Sequence, residues 1–441
     1  MGEVGNGACT ASASGSLGYR RREPERTLLH TTVRAHLKTF LAKMEQRGDG
    51  AGLPGFVISE FERYLACGIL AHGFARVRCS SCGDEMLVAF SCKGRGFCPS
   101  CTTRRMQGTA THLLDRVLPH VPMRQWVLSL PRWARFLLAR DPRLITRALD
   151  IALRAIFSLQ RRRARRAGAL APRTGAITFV QRFGGALNLN VHFHCVIPDG
   201  VFVRESGSVR FVELAPPSDD DLMAVLRRVV ARLERLLRPR LMAAQADARP
   251  LDALGSAQAE GMHMLGTAPP DTGRAKKRAA YLQGFSLHAA VHLRANDREG
   301  LAHLCGYGAR PPFSQERLSA LPDGRLAYRL KRPLGDGRQM LLLQPTELLR
   351  RLATLVPPPR AHLALAQSGH PAALPRGRTR LPCGGRRVVL AYLTQPGPVK
   401  AILDHLGLPS TGPPIAPARL SGGLAETNWQ DDVSALQQSL R

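Results

Sequence analysis

Between residues 187 and 197 the chain reads LNLNVHFHCVI, apolar and polar positions alternating without a break. Side chains on a strand point to opposite faces in turn, so Leu187, Leu189, Val191, Phe193, Cys195 and Ile197 predict a core-facing side. Asn188, Asn190, His192 and His194 then form a polar wall. A second strand is expected over 176–183, and Gly184-Gly185 between the two predicts a hairpin. The apolar runs at 126–130 and 284–293 read as further strands. Helical periodicity marks 28–66 in two runs, then 106–118, 144–160 and 219–244. Another helix is expected from near Asp297, opened by an Asn296/Glu299 arrangement like a capping box and closed by Arg310, Pro311 and Pro312.

These elements predict an α+β fold. A disordered lead-in (1–27) precedes a helical and zinc-ribbon domain (28–110), then a catalytic domain (111–356) containing a linker or insertion at 246–279. A Pro/Gly-rich tail (357–441) carries only a short helix near 400–406. At 441 residues the chain exceeds what one hydrophobic core organises, and no internal repeat is visible. No apolar run reaches membrane-spanning length, and the first residues lack the apolar centre of a secretion signal. A soluble, cytoplasmic protein follows, in which the ten cysteines are thiols or metal ligands.

Charge adds a partner. The net charge of +30 comes from 63 Lys and Arg against 33 Asp and Glu. Such an excess favours a polyanion, most commonly nucleic acid, although solvated helix faces and a GC-rich genome account for part of it.

Cys79-x2-Cys82 and Cys98-x2-Cys101, separated by 15 residues, have the spacing with which four thiolates surround one structural zinc. Cys67 and Cys92 complicate the assignment, either as members of the tetrad or as a partial second site with His72. Arg76, Arg78, Lys93, Arg95, Arg104 and Arg105 surround these knuckles and suit phosphate contacts. Four thiolates leave no open position for water, so this zinc has a structural role in a DNA-binding module.

The His-x-His pair suggests chemistry. His192 and His194 project in parallel and can converge on one cation, although such a pair is also found as a plain polar face. On the later helix His303 and Tyr307 share a face at i and i+4. A phenol with an ordinary pKa of about 10 attacks phosphorus only with help, which a divalent ion at the imidazoles would give.

The runs SCKGRGFCPSC (91–101) with RRM (104–106), RQWVLSLP (124–131), QRFGGALNLNVHFHCVIPDGVF (181–202), YGARPP (307–312) and RLAYRLKRP (325–333) together resemble the rolling-circle insertion-sequence transposases of the HUH class. HUH stands for His, hydrophobic, His, and His192-Phe193-His194 is that motif. The resemblance covers roughly 28–356. It implies a single-strand DNA endonuclease and strand-transferase with an antiparallel HUH-nuclease sheet, Tyr307 as nucleophile, and a 5′-phosphotyrosine intermediate. It further implies Mg or Mn at His192 and His194, with Gln181 as the candidate third ligand, and structural Zn at the cysteines. Arg104, Arg105, Arg310, Lys331 and Arg332 would contact single-stranded DNA at element ends, in the bacterial cytoplasm at the nucleoid. Where many relatives have a first tyrosine this chain has His303, which places it with the single-tyrosine branch of common-region elements. Many relatives also carry a C-terminal Cys-x-x-Cys before two glycines, whereas here Arg380 stands three residues before Cys383, arguing against a second zinc. An inactive copy that only binds DNA is the main alternative, and a zinc-stabilised RNA-binding protein would leave Tyr307 without a role. Oligomeric state is not legible.

Overall fold

The computed structural model describes residues 22–47, 50–205, 207–246, 251–263, 278–334, 336–367 and 386–419. Most of the expected lead-in, the centre of the 246–279 segment, and Arg380 with Cys383 lie outside them. Helices α1 (Leu28–Arg47) and α2 (Gly55–Ala66) come first, then strands β1 (Phe74–Cys79) and β2 (Glu85–Ala89) and helix α3 (Pro99–His112). Strand β3 (Met123–Ser129) leads into α4 (Arg132–Arg140) and α5 (Pro142–Arg166). Next come β4 (Ala176–Phe183), β5 (Leu189–Pro198), β6 (Gly200–Glu205), β7 (Ser208–Glu213), α6 (Asp219–Ala246) and α7 (Ala253–His263). They are followed by β8 (Ala279–Leu282), β9 (Phe285–His288), β10 (His292–Leu293) and α8 (Arg298–Gly308). The last elements are β11 (Leu318–Ala320), β12 (Leu326–Arg329), β13 (Met340–Leu343), α9 (Pro345–Leu355), β14 (Ala364–Gln367), β15 (Arg387–Leu393) and α10 (Pro396–His405).

The α+β expectation holds. Among the described residues the largest sheet is antiparallel, ordered β14-β4-β5-β3-β9-β8, with β10 also on β3. The His-bearing β5 is therefore interior, flanked by β4 and β3. Its apolar face, from Leu189 to Ile197, packs with α4, α5 and α6 in one continuous core. Helix α5 suits this role, with Leu149, Ala152, Leu153 and Ile156 recurring at helical spacing and buried. On the opposite face Ile177, Phe179 and Val196 pack with Leu301 and Cys305 of α8. The polar wall is accordingly short, because α8 covers the sheet beyond His194.

A second core joins distant parts of the chain. Leu29, Val33, Leu37 and Phe40 of α1 and Phe61 of α2 pack with Leu348, Leu349 and Leu352 of α9 and with Leu326, Tyr328 and Leu341 of the β11-β12-β13 sheet. Ala253, Leu254 and Ala257 of α7 enter the same core, so the stretch expected as a linker or insertion contains a packed helix. Its weak apolar period hid it, since small residues were buried by close approach. Two buried arginines brace this region. Arg350 is bonded to Glu347, Glu260 and the Ala257 carbonyl, and Arg351 to Glu347 and the Ala186 carbonyl.

The expected loose tail also needs revision over residues 386–419. Strand β15 pairs antiparallel with β1, and α10 packs Val399 and Leu403 against Leu70 and Phe74. Further on, Ala416 N–H donates to the Arg34 carbonyl and Arg419 N–H to Thr39 Oγ1. A strand that completes a sheet more than 300 positions earlier in the chain leaves no local signature. No helix among the described residues is long and apolar enough to cross a membrane.

Candidate active site and cysteine cluster

Strand pairing brings the polar residues together. Across β4 and β5, Gln181 lies opposite His192 and Phe179 opposite His194, while across β3 and β5 Ser129 lies opposite His192 and Val127 opposite His194. Cross-strand partners point to the same face, so Gln181 belongs to the imidazole wall. Its sharing of a side with Phe179 and Phe183 had argued against this. A bulge between Gln181 and Phe183 resets the register just beyond the pair.

Helix α8 crosses this face. Its N-cap is Asp297, whose carboxylate accepts from Gly300 N–H, one position later than the Asn296 start read from the sequence. Gly308 lies so close to the Phe179 ring that a Cβ there would overlap it. At this end the helix has carbonyls without intrahelical partners. Gln181 supplies them, its Nε2 donating to the Tyr307 carbonyl at 2.7 Å and to the Gly308 carbonyl at 3.0 Å. Because both partners can only accept, the amide orientation is fixed and Oε1 is the oxygen left over, 3.5 Å from Arg310 Nη2.

Tyr307 thereby meets the histidines. Its ring lies edge-on to that of His194 with centroids 5.6 Å apart, and the His192 and His194 rings are 4.9 Å apart. The Arg310 guanidinium lies over the phenol ring at 4.2 Å from its centroid and also approaches Phe183 at 5.2 Å. Tyr307 remains 45% exposed, open enough for a macromolecular substrate to reach. His303 is well exposed and 3.9 Å from Glu299.

The imidazole tautomers follow from their contacts. His192 Nδ1 is 2.8 Å from the Asn190 carbonyl, which cannot donate, so Nδ1 carries the proton and Nε2 the lone pair. His194 Nδ1 faces the Gln125 amide at 3.1 Å, while its Nε2 is buried without a hydrogen-bond partner in the protein. Turning that amide lets its oxygen accept from Nδ1–H and leaves Nε2 as donor atom for a cation. Burial, and after it the Arg135 and Arg310 charges, hold His192 down to about 4. Burial, then His192 and Arg310, hold His194 down to about 3. Both rings are neutral near pH 7, the form that ligates metals. The two Nε2 atoms and Gln181 Oε1 are the atoms here that could hold a cation.

Gln125 was missed in the sequence. It alternates with Val127 and Ser129 within QWVLS, but only the β3–β5 register reveals that it reaches His194.

The cysteines assemble differently from the spacing. Cys67, Cys92, Cys98 and Cys101 bring their sulfurs within 4.8 Å of one another, with separations of 3.4 Å for Cys92–Cys101, 3.6 Å for Cys67–Cys101 and 3.8 Å for Cys67–Cys98. Zinc–sulfur bonds of about 2.3 Å place tetrahedral thiolates about 3.8 Å apart, so the group fits one zinc. Cys79 and Cys82 are not part of it, and the expected tetrad is corrected to include Cys67 and Cys92. The cause is the β1–β2 hairpin. At its base Gly68 N–H bonds the Phe90 carbonyl, bringing Cys67 beside Cys92, whereas Cys79 and Cys82 lie at its tip. Five residue pairs at about 3.3 Å each separate tip from base. Beside the tip, Ser80 exchanges hydrogen bonds with Arg386.

The cluster has its own supports. Cys98 caps α3 and Cys101 sits in its first turn. Glu60 Oε1 accepts from Gly96 N–H at 2.7 Å. Hydrogen bonds from Cys67, then Cys92 and Cys98, push the Cys101 thiol far down, while Cys92 and Cys98 are pushed up, first by Cys101. Arg105, expected at DNA, instead donates to the Gly94 and Lys93 carbonyls and braces the loop. Arg104, Lys331 and Arg332 are exposed, and Arg310 lies at the tyrosine.

Two family models match the chain. Residues 33–130 match the "Transposase zinc-binding domain" model of IS91-type transposases, a span holding all four clustered cysteines and Gln125. Residues 175–364 match the model described as "Putative transposase", a span holding Gln181, His192, His194, Tyr307 and Arg310. Together they support an IS91-like transposase with structural zinc. No curated protein and no solved structure matches the chain significantly.

Proposed function

We propose that this chain is a DNA transposase of the HUH class, in its single-tyrosine branch, which nicks and rejoins single-stranded DNA at element ends during rolling-circle transposition. The observation that carries this reading is the meeting of Tyr307 with the His194 ring at 5.6 Å, on a helix end tied by Gln181 to the strand opposite His192. In the step inferred, the Tyr307 oxygen gives up its proton and attacks a backbone phosphorus in line. The phosphorus–O3′ bond breaks, and the leaving oxygen takes up a proton to become a 3′-hydroxyl. The 5′ side stays joined to the tyrosine as a phosphodiester, so a second 3′-hydroxyl can reverse the step without ATP.

His192, His194 and Gln181 are the residues that would hold Mg or Mn. Such an ion would supply charge stabilisation at the phosphate oxygens. Two imidazoles favour Mn over Mg, which prefers oxygen alone. Gln181 would contribute an oxygen and positions the helix of Tyr307, while Arg310 stacks over the phenol ring. We assign 28–110 as the zinc-bearing DNA-binding module and 111–356 as the catalytic module, the two joined by the core that α1 and α9 share.

The test is incubation of labelled random-sequence single-stranded DNA with the wild type and with Tyr307→Phe, with and without added Mn. An adduct that survives denaturation, formed by the wild type only, supports the reading. DNA binding without any adduct would favour an inactive copy.

A further inference from the structure

This chain usually pairs its buried arginines. Arg124 forms a two-point contact with Asp199, and Arg350 and Arg351 share Glu347. Around the imidazoles that habit is suspended. There Arg135, Arg310 and Arg317 are half-buried and Lys331 is exposed, and among the described residues no carboxylate pairs with any of them. Arg135 Nε, Arg310 Nε and Arg317 Nη2 are buried with no hydrogen-bond partner.

Their placement follows the site. Lys331 lies just past β12, next to Arg317, whose guanidinium stacks at 4.6 Å over the Tyr328 ring and donates to the Arg329 carbonyl. Burial, then the charges of Arg310 and Arg317, lower Lys331, so these three cations are neighbours, and Arg310 lies over the Tyr307 ring. Arg135 lies near His192. Its helix α4 starts directly after β3, whose last residue, Ser129, lies opposite His192. Burial and the neighbouring Arg132 pull the Arg135 guanidinium down to about 10. Among the described residues no carboxylate is bonded to any of these four side chains, and three of their nitrogens are buried without a partner. Desolvated cations without counterions destabilise a folded chain, and an anionic ligand relieves that cost. Stacked guanidiniums also keep their N–H edges free for phosphate oxygens.

We infer that Lys331, Arg317, Arg310 and Arg135 form a phosphate track that leads one nucleic-acid strand across the His192, His194 and Tyr307 face. This deepens the transposase reading and rests on it for the identity of the strand as DNA. Arg182, fully buried and without a carboxylate partner among the described residues, donates to the Ala139 carbonyl and is not part of the track.

The track is tested with the full chain, no divalent ion added, binding a fluorescein-labelled random-sequence single-stranded DNA across a salt series. Arg135→Gln and Arg310→Gln should each weaken binding several-fold and make the log–log salt slope shallower by about 0.7, the loss of one phosphate contact. Arg210→Gln, at an exposed pair with Glu205 on β7, should leave the slope unchanged. A merely structural Arg135 would lower the melting temperature when replaced; in the track, Arg135→Gln melts at the same or a higher temperature. If Arg135→Gln fails to fold, Arg135→Lys decides, because it should keep the slope yet lose affinity. Unchanged slopes in both glutamine variants, an equal change in Arg210→Gln, or full affinity in the lysine variant overturns the track. Shifted slopes without a Tyr307 adduct would retain the track and remove the nuclease, whereas an adduct with unchanged slopes removes the track alone.

Discussion

Gln181 donates both protons of its amide to the end of the helix that carries Tyr307, at the carbonyls of Tyr307 itself and of Gly308. One buried side chain thus ties the helix of Tyr307 to the strand opposite His192. Gln181→Leu leaves two carbonyls without partners, and should cost about 2–4 kcal/mol of stability. Adduct formation should fall more steeply than DNA binding. Urea unfolding and adduct yield measure the two effects, and an unaltered yield would remove Gln181 from the positioning role.

The cysteine cluster predicts an asymmetry between neighbouring cysteines. Cys92→Ser should release zinc and lower the melting temperature by several degrees, since Cys67, Cys98 and Cys101 belong to the core of α1, α2 and α9. Cys82→Ser, at the hairpin tip, should have a much smaller effect. Equal thermal shifts in the two variants would restore the ligand set read from spacing.

How much of this was legible depends on the range of the contact. The alternation over 189–197, the Gly184-Gly185 hairpin and the helix bearing Tyr307 are local patterns and appear as expected, whereas Leu187, at φ 56°, precedes the strand and packs in the other core. The place of Gln181 was obscured because its face is set by pairing with β5, and the bulge beyond it breaks simple counting. The zinc ligands were misassigned for a similar reason. Cys-x-x-Cys spacing describes one turn, whereas hairpin closure decides which distant cysteines meet. Helix α7 and strand β15 were hidden because their partners, α9 and β1, lie far along the chain.

Asp199 is predicted to matter for stability rather than chemistry. It receives Arg124 Nε at 2.9 Å and a second guanidinium contact, with His292 at 3.5 Å, in a buried position at the end of the sheet. Asp199→Ala strands a buried guanidinium and should cost about 3–5 kcal/mol. Denaturant unfolding checks this, and a loss below about 1 kcal/mol would contradict it.

Glu347 gives the acid limit of the shared core. Burial alone would raise its carboxyl, but hydrogen bonds from Arg350 and the charges of Arg350 and Arg351 outweigh burial and hold it below its ordinary 4.5. A depressed carboxyl contributes stability above its unfolded value and loses it as pH falls through the folded one. Stability should therefore decline as pH drops below about 4.5. Glu347→Gln should be less stable at neutral pH and flatter through that window. Parallel pH profiles for the two proteins would exclude this carboxylate as the source.

The most direct test of the account is the intact mass of the protein after incubation with single-stranded DNA and Mn. The wild type should gain the mass of a 5′-phosphorylated DNA fragment, mapped by peptide sequencing to Tyr307, and Tyr307→Phe should gain nothing. An adduct on any other residue, or one that persists in Tyr307→Phe, would contradict the proposal that this phenol cuts DNA beside His192 and His194.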